Sequence, residues 1–301
     1  MKKTTSFAAD TGGMLLETPG GDVCMSIVGV VRNGGDALKK TISRIEELSM
    51  HLRDFSIVIA TNDNSDDTDA ILSAFSERCG KSLILRLDGL TDEYPERVER
   101  ITVARNAVLD ALQEGETKKE YTLVLDLDGP NTELDISAVL AATQRATLRW
   151  DAVFANPRPA YYDIYALRCR GWCEEDVWNR IGDTRKPLFG RRKWRRNLVK
   201  SAIYDRQFNI PRNFPLIAVD SAFAGAGLYR TKALEGLSYS CRDEHGRLVC
   251  EHVMLHKRMR DRGARLFIDP AFVTVAPDEH LGEGSGAQLP PNLINRVSGI
   301  Y

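Results

Sequence analysis

The feature that most constrains this chain is a regular exchange of short apolar runs with longer stretches of helical periodicity. The run CMSIVGVV at 24–31 has no polar face, as a strand buried on both sides requires. After it, Leu38, Ile42, Ile45, Leu48 and Leu52 recur at helical spacing over 36–52, with Asp36 placed to cap the helix. The exchange then repeats. Strands are expected at 55–60, 82–87, 121–127 and 151–156, and helices at 65–79, 97–112 and 135–148. This alternation specifies an α/β fold: a Rossmann-like, mostly parallel sheet with helices on both faces. In such sheets ligands bind outside the carboxyl ends of the strands.

Beyond residue 156 the pattern loosens. The basic stretch 178–211 carries Gly and Pro marks and is hard to assign to an element. Apolar, glycine-bearing sequence returns at 215–230, a helix is expected at 250–263 with Gly263 as its stop, and a strand pair at 264–276. The chain of 301 residues therefore divides into a flexible N-terminus at 1–22, a first half at 23–156, and a second half of the same domain at 157–301. The formal net charge of -1 argues against a general nucleic-acid binder. Six cysteines at irregular spacing form no disulfide framework, and no apolar run has membrane-spanning length. A reducing cytosol is the expected home, with a peripheral membrane contact left open.

The segment LVLDLDGP at 123–130 concentrates the chemistry. Three apolar residues run into Asp126 and Asp128, and Gly-Pro then breaks the strand. Two carboxylates one residue apart at a strand's carboxyl end can hold a hard divalent cation, Mn2+ or Mg2+. The competing reading is a solvated turn that caps the next helix. Asp63 and Asn64 follow the second strand, where they can meet a ribose or base edge; helix capping explains only their neighbours. Arg32 and Asn33 end the first strand and can touch the same nucleotide, although an ordinary turn fits as well. Arg105 lies mid-helix among apolar residues; a buried arginine there needs an anion, either a diphosphate or Asp126, and an exposed arginine on the polar face is the alternative.

In this order, RNGG at 32–35, NDNSDDT at 62–68, ARNAVLDAL at 104–112 and LVLDLDG at 123–129 resemble the nucleotide-sugar half of GT-A glycosyltransferases, of the family-2-like kind, over residues 24–156. The resemblance implies a GT-A fold. It also implies that Asp126 and Asp128 hold the metal bridging the donor diphosphate, and that Asp63 contacts the nucleoside. Segments 161–172, 219–230 and 250–276 look like parts of the cryptococcal capsule mannosyltransferases, which tilts the expectation toward GDP-mannose and retention. By the same resemblance, Glu251 is the acceptor-side base of inverting members or the orienting acid of retaining ones, with Asp220 beside it. A C-terminal histidine, His280 first and His252 second, joins the metal. Gly225 and Gly227 would let the sugar lie against backbone.

His252 and His256 stand four apart, but HVMLH lacks the glutamate that a zinc protease places after its first histidine. Cys169, Cys173, Cys241 and Cys250 with His245 match no usual zinc spacing. The run at 185–200 reads as a solvated loop, a grip on an acidic acceptor, or a contact with an anionic membrane. The leading expectation is metal-dependent transfer of a sugar from a GDP- or UDP-linked donor to a saccharide or lipid-linked hydroxyl. A sugar-phosphate nucleotidyltransferase ranks second, and a non-catalytic carbohydrate- or membrane-binding module third.

Overall fold

A computed structural model describes residues 21–113, 117–146, 148–291 and 293–294. All but the last two residues of the expected flexible segment 1–22 lie outside that range. The first half alternates as expected: β1 (Cys24–Val31), α1 (Gly35–Ser49), β2 (Asp54–Thr61), α2 (Thr68–Arg78), β3 (Ser82–Arg86), the single turn α3 (Leu90–Glu93), α4 (Arg97–Gln113), β4 (Tyr121–Asp126), α5 (Ile136–Thr143) and β5 (Ala152–Arg158). The second half holds α6 (Val177–Asp183), α7 (Arg191–Ala202), β6 (Phe208–Asn209), β7 (Ile217–Ala218), β8 (Ala226–Arg230), α8 (Glu251–Asp261), β9 (Leu266–Val275) and β10 (Ala287–Gln288).

Eight strands form one sheet in the order β3-β2-β1-β4-β8-β5-β9-β7. Strands β3, β2, β1 and β4 run parallel, and β5 is parallel to β9. Strand β8 enters from the second half and lies antiparallel between β4 and β5. The fold is therefore α/β with a mostly parallel central sheet. One face packs against Leu38, Ile42 and Ile45 of α1, Leu72 and Phe75 of α2, and Val139 of α5. The other packs against Val108, Leu109 and Leu112 of α4 and Leu255 and Met259 of α8. Helix α4 from the first half and α8 from the second thus share one core. Among the described residues, no helix is long and apolar enough to cross a membrane.

Four local expectations need correction. Asp36 lies inside the first turn of α1, and Gly34 holds the cap position without a side-chain bond. Helix α2 begins at Thr68 rather than Ser65, because residues 62–67 form a loop knitted by its own polar groups. The basic stretch is not a loop. From Arg191 to Ala202 there is no Gly or Pro, and Trp194, Leu198 and Ala202 recur every four residues, so the segment winds into α7 after the left-handed Gly190. The expected pair of strands at 264–276 is the single long β9. Its register with β5 jumps between Phe154 and Asn156, a bulge that bends the strand without ending it. Asn156 Nδ2 bridges the gap, donating to the carbonyl of Pro270 at 2.9 Å and of Ile210 at 3.0 Å.

Candidate active site

Strand β4 delivers Asp126 as its last residue, at the edge where β1 and β2 also end. Buried Leu127 separates it from Asp128. The turn is pinned from the other half of the chain: Asp126 N donates to the Gly225 carbonyl at 2.8 Å. Asn131 Nδ2 donates to the carbonyls of both Asp126, at 2.8 Å, and Gly225, at 2.7 Å. Gly225 has φ +84°, and a side chain there would overlap Pro130. A Cβ on Gly227 would come within 2.9 Å of Tyr229 and 3.0 Å of Phe154. Both glycines thus serve chain packing, and the expectation that they leave room for a sugar ring is corrected.

Arg105 organises the acids. Its Nη2 meets Asp126 Oδ1 at 2.7 Å and its Nε meets Glu251 Oε1 at 3.0 Å. Its side chain is 5% exposed. The guanidinium lies 4.9 Å above the Phe223 ring and 5.9 Å from that of Tyr239. Burial works against the Arg105 charge, and the carboxylates of Asp126 and Glu251 more than offset it. Of the two partners weighed for Arg105, the protein supplies Asp126 itself, and a nucleotide-binding role gives way. Its Nη1 is buried and has no partner among the described residues.

Asp128 differs from Asp126. It is exposed and takes no hydrogen bond or ion pair from another described side chain. The surrounding protein and the charge of Asp126 push its carboxyl above the usual range, opposed in part by Arg97 and Arg105. Arg97 lies at the exposed start of α4. The Asp126 oxygen that Arg105 does not hold and the unpaired Asp128 carboxylate suit a divalent cation, although among the described residues no three His, Cys, Asp or Glu side chains gather as a ligand set. His280 is thus not joined to the pair. Its ring stacks on Tyr162, with centroids 5.2 Å apart and planes 6° apart. Burial raises the Tyr162 hydroxyl well above its ordinary value, with the charge of Asp126 the next cause, so this ring stands beside the acids.

His252 is farther in. It stacks on Phe223 at 3.7 Å, and its Nε2 lies 3.6 Å from Glu251 Oε1. Burial, then the Arg105 charge, holds it neutral. His256 is hydrogen-bonded at both nitrogens, Nδ1 with Ser221 Oγ at 2.8 Å and Nε2 with Tyr229 Oη at 2.9 Å, which leaves nothing for zinc. Asp220 was expected beside Glu251. It is exposed instead and pairs with Arg260 at 2.8 Å, near the opposite end of α8.

The nucleotide-side residues mostly bind each other. Asp63 accepts from Gly89 N at 2.6 Å and from Thr91 N at 2.9 Å. The Asn62 amide, the Gly89 amide and Thr91 hold its carboxyl well below the usual range. Asn33 N donates to Asn64 Oδ1 at 2.9 Å, and Asn33 Oδ1 accepts from Ser65 N at 2.8 Å. Asn33 and Asp63 both have positive φ. The Asp63 and Asn64 side chains are thus spent on shaping the three strand-end loops, while Asn33 spends its Oδ1 there. Arg32 is exposed and donates only its Nε, to the Asp63 carbonyl at 3.2 Å.

Three residues escaped the sequence reading. Arg97 gave no signal beyond being one arginine among many. Tyr162 and Asp163 follow β5 directly, at the same sheet edge, and that position was the available clue. Asp163 accepts from Ala224 N at 2.9 Å and Ala166 N at 3.1 Å, holding Ala224 at φ +57°. Burial raises its carboxyl, and the charges of Asp126 and Glu251 add to the shift.

No family model and no curated protein matches the sequence. Among solved structures, the chain is similar to the mannosyltransferase PcManGT from Pyrobaculum calidifontis in complex with GDP-Man and Mn2+, at 13% identity over 85% of this chain and 58% of that one, with a TM-score of 0.47. It is also similar to residues 1–349 of S. aureus TarS, at 10% identity over 83% of this chain and 59% of that one, with a TM-score of 0.46. A third is glucosyl-3-phosphoglycerate synthase from Mycobacterium tuberculosis in complex with Mn2+, UDP and phosphoglyceric acid. The identity there is 12% over 83% of this chain and 67% of that one, with a TM-score of 0.39. The chain thus spans less than two thirds of the first two, and at these scores the likenesses carry no argument about what it does.

Proposed function

We propose that the protein is a GT-A glycosyltransferase that moves a sugar from a nucleoside diphosphate donor to the hydroxyl of a saccharide or lipid-linked acceptor. The observation that carries this reading is the Asp126–Asp128 pair at the carboxyl edge of the sheet, one acid tied to buried Arg105 and the other exposed and unpaired. Asp126 and Asp128 would hold Mn2+ or Mg2+ in an open site, and that ion supplies charge neutralisation to the leaving diphosphate. Arg97 and Arg32 add positive charge on the donor side. Arg105 fixes Asp126 relative to Glu251.

On the acceptor side, two carboxylates compete for the role of base. Both oxygens of Asp163 are committed to backbone amides. Glu251 commits Oε1 to Arg105, while Oε2 has only the Cys250 thiol 3.7 Å away. Glu251 Oε2 is therefore the atom proposed to take the acceptor proton. With the Glu251 side chain 7% exposed, only an acceptor seated in the cleft reaches it.

The test is thermal stabilisation by GDP, UDP, CDP and TDP, each with and without Mn2+. One nucleoside diphosphate should stabilise the protein only with the metal, and Asp126→Asn or Asp128→Asn should weaken that binding at least about tenfold. With a donor sugar, free nucleoside diphosphate rather than pyrophosphate should be released. Unchanged metal-dependent binding in both variants would end this reading.

A further inference from the structure

The stretch before and through α7 is built unlike the rest of the surface. Residues 185–200 carry eight Lys or Arg and no Asp or Glu, in a chain whose net charge is -1. Ala202 is the one buried residue of α7. Trp194 and Leu198 lean toward the protein, so the remaining cations point outward. Lys200 pairs with Asp205, whereas the other seven have no acidic partner among the described residues. Seven uncompensated cations on one short segment form a local positive field that the near-neutral whole conceals.

The second observation is apolar. Leu188 and Phe189, at the turn leading into α7, are 82% and 88% exposed. Trp178 on α6 is 46% exposed. A soluble polyanion would satisfy the cations and leave Leu188 and Phe189 in water. A bilayer interface takes both, with headgroup phosphates against the basic face and the apolar pair among the acyl chains.

The position of α7 gives this face a direction. Lys200 and Asp205 tie its end to the segment where Tyr204 packs beneath Gly282. Two residues on, Gln207 Nε2 donates to the carbonyls of Tyr162 and His280, both at 2.9 Å. Those residues form the stacked pair beside Asp126 and Asp128.

We propose that α7 and the Leu188-Phe189 turn dock the protein on an anionic lipid surface, with the acceptor side of the cleft turned toward that surface. The docking stands on the face alone, and its orientation toward an acceptor rests on the transfer reading above.

The experiment is co-sedimentation of the full chain with phosphatidylcholine vesicles, with and without phosphatidylserine. Binding should require phosphatidylserine and fall with added salt. Each cation near such a surface contributes roughly fivefold in partition. Arg192→Glu with Arg196→Glu should therefore cost about 25-fold or more, and Leu188→Ser with Phe189→Ser several-fold, with circular dichroism unchanged. Equal binding to both vesicle types, or none, would overturn the proposal. Heparin binding that matches vesicle binding and ignores Leu188 and Phe189 would overturn it in favour of a soluble polyanion. The nucleotide-plus-Mn2+ thermal shift, run on the same variants, keeps the two readings apart. If vesicle binding fails and the shift persists, only the docking falls; if the shift fails and vesicle binding persists, only the transfer reading falls.

Discussion

Arg105 is the residue on which the acids depend. It is buried, and its two salt bridges tie α4 to β4 and to α8, the second across 146 positions of sequence. Arg105→Met would leave Asp126 and Glu251 facing each other without a cation. Breaking a buried pair from one side costs about 3–5 kcal/mol, so the urea midpoint should fall accordingly. Adding Glu251→Gln to Arg105→Met should recover part of that loss. His256 makes a second prediction. Burial first, then the charges of Arg260 and Arg105, push it down to about 3 from its ordinary 6.5. The unfolded chain then binds a proton that the folded one refuses between those values. Its contribution is complete above about 6.5 and is lost as pH falls toward 3. His252, also buried and held neutral, acts in the same direction. Stability measured by urea titration should decline over that window, and His256→Gln should flatten the decline; an unchanged slope would refute the assignment. In the sequence, Arg105 was legible as a buried charge in need of an anion. Its link to Glu251 was not, because a contact between positions so far apart exists only after the sheet is assembled.

At the scale of elements, the turn at Ala224-Gly225 holds the strand-end acids in place. Asn131 joins its carbonyl to that of Asp126, and Gly225 leaves no space for a methyl group against Pro130. Gly225→Ala should destabilise by about 1–3 kcal/mol and weaken metal-dependent nucleotide binding as well. Gly236→Ala shares the positive φ but meets nothing within 4 Å, so it should carry only the backbone strain and leave nucleotide binding intact. The strands and helices through residue 158 were readable because burial on both faces leaves continuous apolar runs, and amphipathic helices leave their own period. The second half was less readable for physical reasons. Strands β6, β7 and β10 are two residues each, too short for any period. Strand β9 contains a bulge that imitates a strand break. The nucleotide-side loops misled in another way: Asp63, Asn33 and Asn64 are types that bind ligands or stabilise turns equally well, and here their hydrogen bonds go to the turns.

For the whole molecule, β8 lies between β4 and β5, and each face of the sheet has its own core. The core against α4 and α8 draws on both halves of the chain. The two halves should therefore unfold together: urea transitions followed by far-UV circular dichroism and by tryptophan fluorescence should coincide, and separated transitions would contradict the shared core.

The inserted strand also sets an order of events during synthesis. Strands β3, β2, β1 and β4 can pair as soon as residue 126 has left the ribosome. Strand β5 follows, but it has no place beside β4 until β8 arrives about seventy residues later. Until then two apolar strand edges stand open, with Arg105 facing Asp126 alone. The nascent chain is thus most exposed to mispairing between the emergence of β4 and that of β8, and the candidate site comes together only once α8 has emerged.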